Sequence, residues 1–141
     1  SSIRHYDSKS DKAQLEILKL LIHNSSLAGK VTLSLLDNKL CYNIVKTIKY
    51  HSDNYTNVAQ LLEFIGDSPE ERNLVASLAV DVPEKDNEEV ILADCIRALE
   101  NISIQNEIDT IRNQIRIIED NNQSLDTDLL RKLEDLRKKV Q

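Results

Sequence analysis

Residues Glu88 to Asp120 read EEVILADCIRALENISIQNEIDTIRNQIRIIED, a stretch with neither Gly nor Pro. Laid out at about 100° per residue, Leu92, Cys95, Ile96, Leu99 and Ile102 form one apolar stripe. Ile104, Ile108, Ile111, Ile115 and Ile118 form a second stripe, spaced alternately four and three apart. The step from Ile102 to Ile104 turns a helix by about 200°, so the two stripes lie on different faces. A helix with one neighbour keeps one stripe. Two stripes imply two bodies: a helical bundle against the first half, and another partner against the second.

That partner is in the sequence. After the polar Asn121-Asn122-Gln123-Ser124, residues Leu125, Leu129, Leu133, Leu136 and Val140 recur on one helical face. Two antiparallel helices with a short polar connection make a helical hairpin. A continuous helix of this length spans about 50 Å, more than the breadth of a bundle of about 85 residues. The expectation is an all-α chain: an N-terminal helical bundle joined by the long helix to a C-terminal antiparallel hairpin. The boundaries expected are an untethered polar lead-in at 1–9, a bundle at 10–102 and a hairpin at 103–141.

The rest of the chain agrees with an all-α class. Its 141 residues include two Gly, two Pro and five aromatic residues. Ser10 reads as the cap of a first helix with Leu15, Leu18, Leu21 and Ile22 inward. Ser25 or Ser26 would cap a second helix bearing Leu27, Val31, Leu35 and Leu36, with Gly29 weakening it. A third begins near Asn38 and carries Cys41, Ile44, Val45 and Ile48. His51 to Tyr55 reads as a loop, and Thr56 as the cap of a fourth helix that Gly66 closes. Ser68-Pro69-Glu70-Glu71 is a strong start signal for a fifth. Asn87 is the expected cap of the long helix.

Charge and chemistry narrow the function. The net charge of −6 disfavours strong direct nucleic-acid binding. Up to Gly66 the chain has eight basic and six acidic residues, and from Asp67 onward ten and eighteen. The basic tail Arg131, Lys132, Arg137, Lys138 and Lys139 suits a helix C-terminus, and Glu84, Asp86, Glu88 and Glu89 suit a helix N-terminus. Cys41 and Cys95 read as buried free thiols of a cytoplasmic protein. His23 and His51 read as C-terminal helix residues, and His5 lies in the lead-in. There is no signal peptide, membrane span or lipidation motif. Phosphate loop, nucleophile elbow and Cys-x-x-Cys are absent, so no catalytic residue, metal ligand or cofactor is expected.

Two apolar residues remain outside the hairpin seam. Ile117 shares a face with Asn113 and Asp120, and Leu130 sits beside Glu134 and Arg137. An apolar anchor in a polar surround is the anatomy of a protein-binding hot spot. These six residues are the expected partner-binding site of a protein-interaction module.

The order of parts then resembles a known family. A small bundle precedes the helix Ser68-Pro69-Glu70-Glu71-Arg72-Asn73-Leu74-Val75-Ala76-Ser77-Leu78-Ala79. Asp94-Cys95-Ile96-Arg97-Ala98-Leu99-Glu100 follows on a long helix, and a hairpin ends in Leu129-Leu130-Arg131-Lys132-Leu133-Glu134-Asp135-Leu136-Arg137-Lys138-Lys139. This resembles the C-terminal helicase-binding domain of bacterial DnaG-type primases, in an Ile- and Asn-rich wording like that of low-GC Firmicutes. The resemblance implies a non-catalytic domain that docks a primase onto the N-terminal region of the hexameric DnaB-type helicase. It also implies that the hairpin provides most of the attachment, that the bundle modulates the helicase, and that the zinc-binding and polymerising parts lie upstream. The isolated domain would be a monomer. Two other readings are an N-terminal collar domain of a replicative helicase and a structural, self-associating helical module; both would oligomerise alone.

Overall fold

The structure, a computed structural model, describes residues 8–54, 57–83, 85–124 and 126–140. Its described residues are mostly helical and include no strand. Six α-helices run in order: α1 Lys9–His23, α2 Lys39–His51, α3 Val58–Ile65, α4 Pro69–Ala79, α5 Glu88–Asp120 and α6 Thr127–Lys139. The chain divides into two compact units, Ser1–Ala98 and Leu99–Gln141, and the division falls inside α5.

In the first unit α1 is the central element, packed against α2, α4 and the 3₁₀ segment that follows it. Its Ile17, Leu18, Leu20 and Leu21 have no exposed surface, and Ile22 very little. The apolar face of α2 meets them with Cys41, Ile44, Val45 and Ile48, all fully enclosed. Leu61 of α3, Val75 of α4 and Leu92 of α5 complete the interior. Each such aliphatic side chain contributes about 1.5–3 kcal/mol relative to exposure. One polar side chain is wholly buried with them. Gln14 donates to Asp37 Oδ1 at 2.6 Å and to Ser10 Oγ at 2.9 Å, and accepts from the Asn38 amide at 2.9 Å. Paired on three sides, it fixes the start of α2 against α1 without an unsatisfied group.

Caps set the helix limits, and several differ from expectation. Ser8, not Ser10, caps α1 by accepting from the Asp11 amide at 3.0 Å; Ser10 is the second residue of the helix and serves Gln14 instead. Asn38 caps α2 through the Cys41 amide at 3.1 Å, and α2 runs on to include His51. Thr56, the expected cap of α3, lies outside the described residues; Asn57 accepts from the Gln60 amide at 3.0 Å and fills that role. Ser68 and Pro69 open α4 as expected. Asn87 closes a short 3₁₀ turn, Lys85–Asn87, ahead of α5.

The expected second helix is not an α-helix. Residues Ser25–Lys30 and Leu33–Leu35 form two 3₁₀ segments, with Asn24 rather than either serine capping the first. Gly29 and the β-branched pair Val31-Thr32 weaken an α-helix here. A long-range cation supports the irregular segment: Lys49 Nζ donates to Val31 O and, at 3.2 Å, to Ala28 O, which also accepts from the Val31 amide. Leu27, Ala28, Val31 and Leu36 still reach the core, so burial survives while the helical repeat does not.

The second unit is the hairpin. Ile108 and Ile111 of α5 pack with Leu133 and Leu136 of α6, flanked by Ile104, Ile115 and Leu129. Val140 is no part of this seam. It follows the last residue of α6 with an extended backbone and is 45 % exposed. Leu125, also expected on the seam, lies outside the described residues. The turn is a Schellman motif: Gln123 N–H donates to Ile118 O and Asn122 N–H to Glu119 O, both at 3.1 Å. Asn122 occupies the left-handed position usual for Gly, with φ 54°. Asp126 then caps α6 through the Asp128 amide at 2.9 Å.

Candidate functional site: the outer faces of the hairpin

The seam consumes one face of each hairpin helix and leaves the others to solvent. On α5 the seam residues centre on one direction, and Ile117 points about 140° away from it. Asn113 and Asp120 stand on the same outer face, and all three are exposed. Ile117, in the last turn of α5, is 50 % exposed. Next to it a shallow recess is lined by Asp109, Thr110, Arg112, Asn113 and Arg116. Arg116 Nη2 donates to Asn113 Oδ1 at 2.7 Å. This bond ties the guanidinium to the Asn113 side chain one turn back along α5.

Leu130 is 42 % exposed and lies about 90° from the α6 seam, with Glu134 and Arg137 exposed on the same flank. A second recess fixes which flank this is. Lys132 of α6 lines it together with Asn106, Glu107, Thr110 and Gln114 of α5. Lys132 stands on the opposite side of α6 from Leu130. The six candidate residues therefore form two patches: Ile117, Asn113 and Asp120 on the back of α5, and Leu130, Glu134 and Arg137 on the flank of α6 away from the Lys132 recess. Arg112 and Arg116, absent from the sequence expectation, join the first region. Their positions between the seam isoleucines were the available signal.

In the first unit several ionisable groups serve the fold. Burial would lower Lys19, but Glu16 and Asp81 at 3.2 and 3.3 Å outweigh it and hold the ammonium above its ordinary value. His23 lies 3.1 Å from Leu78 O of α4, and His51 stacks on Phe64 with ring centroids 3.8 Å apart. Burial, then the nearby Asp11 and Asp37 carboxylates, push the Cys41 thiol up to about 12. Cys95, half-buried, is also raised, by burial first and then by Glu16 and Asp94. Both cysteines are free. Among the described residues no group of three or more His, Cys, Asp or Glu side chains could hold a metal ion. No described helix is long and apolar enough to cross a membrane.

Comparison with known proteins gives this surface its context. The family model for the DnaB-binding domain of the DNA primase DnaG matches residues 14–133, from the first turns of α1 into the hairpin seam on α6. No curated protein and no solved structure matches the chain. The family match covers 120 of the 141 residues and takes in the bundle, the whole of α5 and the start of α6. The chain therefore belongs to the DnaB-binding domain family of the DNA primase DnaG, the part of a primase that docks onto the DnaB helicase in DNA replication.

Proposed function

We propose that Ile117 and Leu130 are the apolar anchors of that docking, and that the hairpin bearing them supplies most of the attachment. The observation that carries this reading is their exposure in a unit whose seam already takes seven other aliphatic side chains. Asn113 and Asp120 around one anchor, and Glu134 and Arg137 around the other, supply the polar rim. The anchors face different sides of the hairpin, which suits a groove with two walls better than a flat surface. The domain has no chemistry of its own and acts in the cytoplasm, as a monomer until helicase is added. The bundle adjusts helicase activity once the hairpin is seated.

Calorimetric titration of the chain into the hexameric helicase tests this. Saturable binding at about three or fewer chains per hexamer is expected, with Ile117→Ala and Leu130→Ala each weakening it by about 30-fold, or about 2 kcal/mol. Normal binding by both variants, with helicity intact, would overturn the contact assignment.

A further inference from the structure

The first unit carries a second surface, independent of the hairpin. On α2 the residues Lys39, Asn43, Lys46 and Tyr50 recur at four, three and four. They centre about 180° from the enclosed stripe of Cys41, Ile44, Val45 and Ile48, so they form the outer spine of the helix. The spine is about 16 Å long. In a chain of net charge −6, α2 has three lysines and neither Asp nor Glu. Lys39 and Lys46 are exposed and make no ion pair among the described residues. The spine ends in Tyr50, 82 % exposed, more than any other large apolar or aromatic side chain among the described residues except Val80.

Tyr50 is braced without being covered. Its ring meets His51 edge-on, with centroids 4.8 Å apart and planes at 76°, and His51 lies flat on Phe64 at 5°. An open cleft of about 640 Å³ runs beside this trio, with Lys46, Asn43 and Lys49 on its walls. Glu71 is its one acidic wall residue. Lys49 is already committed to the Ala28 and Val31 carbonyls, which pins the cationic end of α2 in place.

We infer that this spine binds single-stranded nucleic acid, with a base stacked on the face of Tyr50 and the adjoining phosphates on Lys46 and Lys39. The exposed ring favours single strands over duplex, because only an unpaired base offers its face. The lysines supply the charge complementarity, on a helix that carries no carboxylate of its own. Two free cations make the contact weak and local, a tether and not a clamp. It owes nothing to the hairpin anchors.

The test is titration of the chain with a short oligothymidylate at low salt, followed by oligonucleotide anisotropy and by quenching of tyrosine fluorescence. Single strands are expected to bind measurably and a duplex of the same length much less. Tyr50→Ala should weaken single-strand binding by about tenfold, and Lys46→Gln should reduce the slope of log K against log salt by about 0.7. Both positions are exposed, so circular dichroism should be unchanged. Absence of binding, equal affinity for duplex, or indifference to Tyr50→Ala overturns the inference. Loss of helicase binding in Tyr50→Ala would also overturn it, by marking the spine as a protein interface. Helicase binding by Ile117→Ala and Leu130→Ala reads the hairpin proposal separately.

Discussion

The interior of the first unit and the seam of the second are made from the same aliphatic residues, yet they enclose them to different degrees. Ile17, Leu20, Leu21, Ile44, Ile48 and Leu61 have no exposed surface, whereas Ile111, Leu133 and Leu136 retain 7 to 8 %. With α2, α4 and a 3₁₀ segment packed around α1, the bundle can close its core from every side. Two helices cannot: each covers one face of the other and leaves the remaining faces wet. The lesson is a division of labour. The bundle holds its shape by burial, while the hairpin, which cannot bury all it carries, leaves apolar side chains such as Ile117 and Leu130 exposed.

This contrast can be broken or sharpened by substitution. Leu20→Ala should have the largest effect, about 4 kcal/mol of destabilisation, because its cavity is enclosed on all sides. Thermal and urea unfolding would measure it. Alkaline pH probes the same interior through Cys41. Its thiol ionises near its ordinary value, about 9, in the unfolded chain, and near 12 in the folded one. A group whose folded pKa is raised gives stability that is complete below the unfolded pKa and is lost as pH rises toward the folded one. Stability should therefore fall from pH 9 upward, by about 2 kcal/mol at pH 10.5. Cys41→Ala should be less stable overall but flatter over that window, seen in urea midpoints across pH.

At the seam, Leu133→Ala should cost less, about 1.5–2 kcal/mol, since solvent already reaches the site. Hydrogen exchange should speed up along Ile104–Ile118 while α1 stays protected. If Leu133→Ala instead lowers protection in α1 as much as Leu20→Ala does, the two units unfold as one. The smallest effect belongs to the hairpin turn. Asn122→Gly should stabilise the hairpin by up to about 1 kcal/mol, because Gly adopts φ 54° without a side-chain penalty, and helix loss on heating would report it.

What was legible in the sequence follows from what is local. The limits of α5, the Ser68-Pro69 start of α4 and both α5 stripes depend on residues within a turn or two of one another. The 3₁₀ segments at Ser25–Lys30 and Leu33–Leu35 were read as one helix because their apolar spacing is helical. Besides their own backbone bonds, Ala28 and Val31 are held by Lys49, 21 and 18 residues away, which no local pattern reveals. Exposure of Ile117 and Leu130 could be read from their position off the repeat. The Arg116–Asn113 bond could not, since it is one choice among many for a long side chain. Tyr50 yields to the same arithmetic as Ile117, applied to the back of α2 instead of its core face.

Arg72 carries a consequence for how the chain first gains structure. From the first turn of α4 its Nη1 donates to Leu62 O at 2.7 Å and to Gly66 O at 3.0 Å, closing the carbonyl end of α3. A helix of eight residues is too short to persist in water alone. This clasp, however, spans only ten and six residues, a loop that closes in about 10–100 ns. The bond between Asn24 and Glu88 must close 64 residues, at a greater entropic cost. The α3–α4 corner is thus a natural early nucleus of the bundle, and Arg72→Ala should slow folding more than it speeds unfolding.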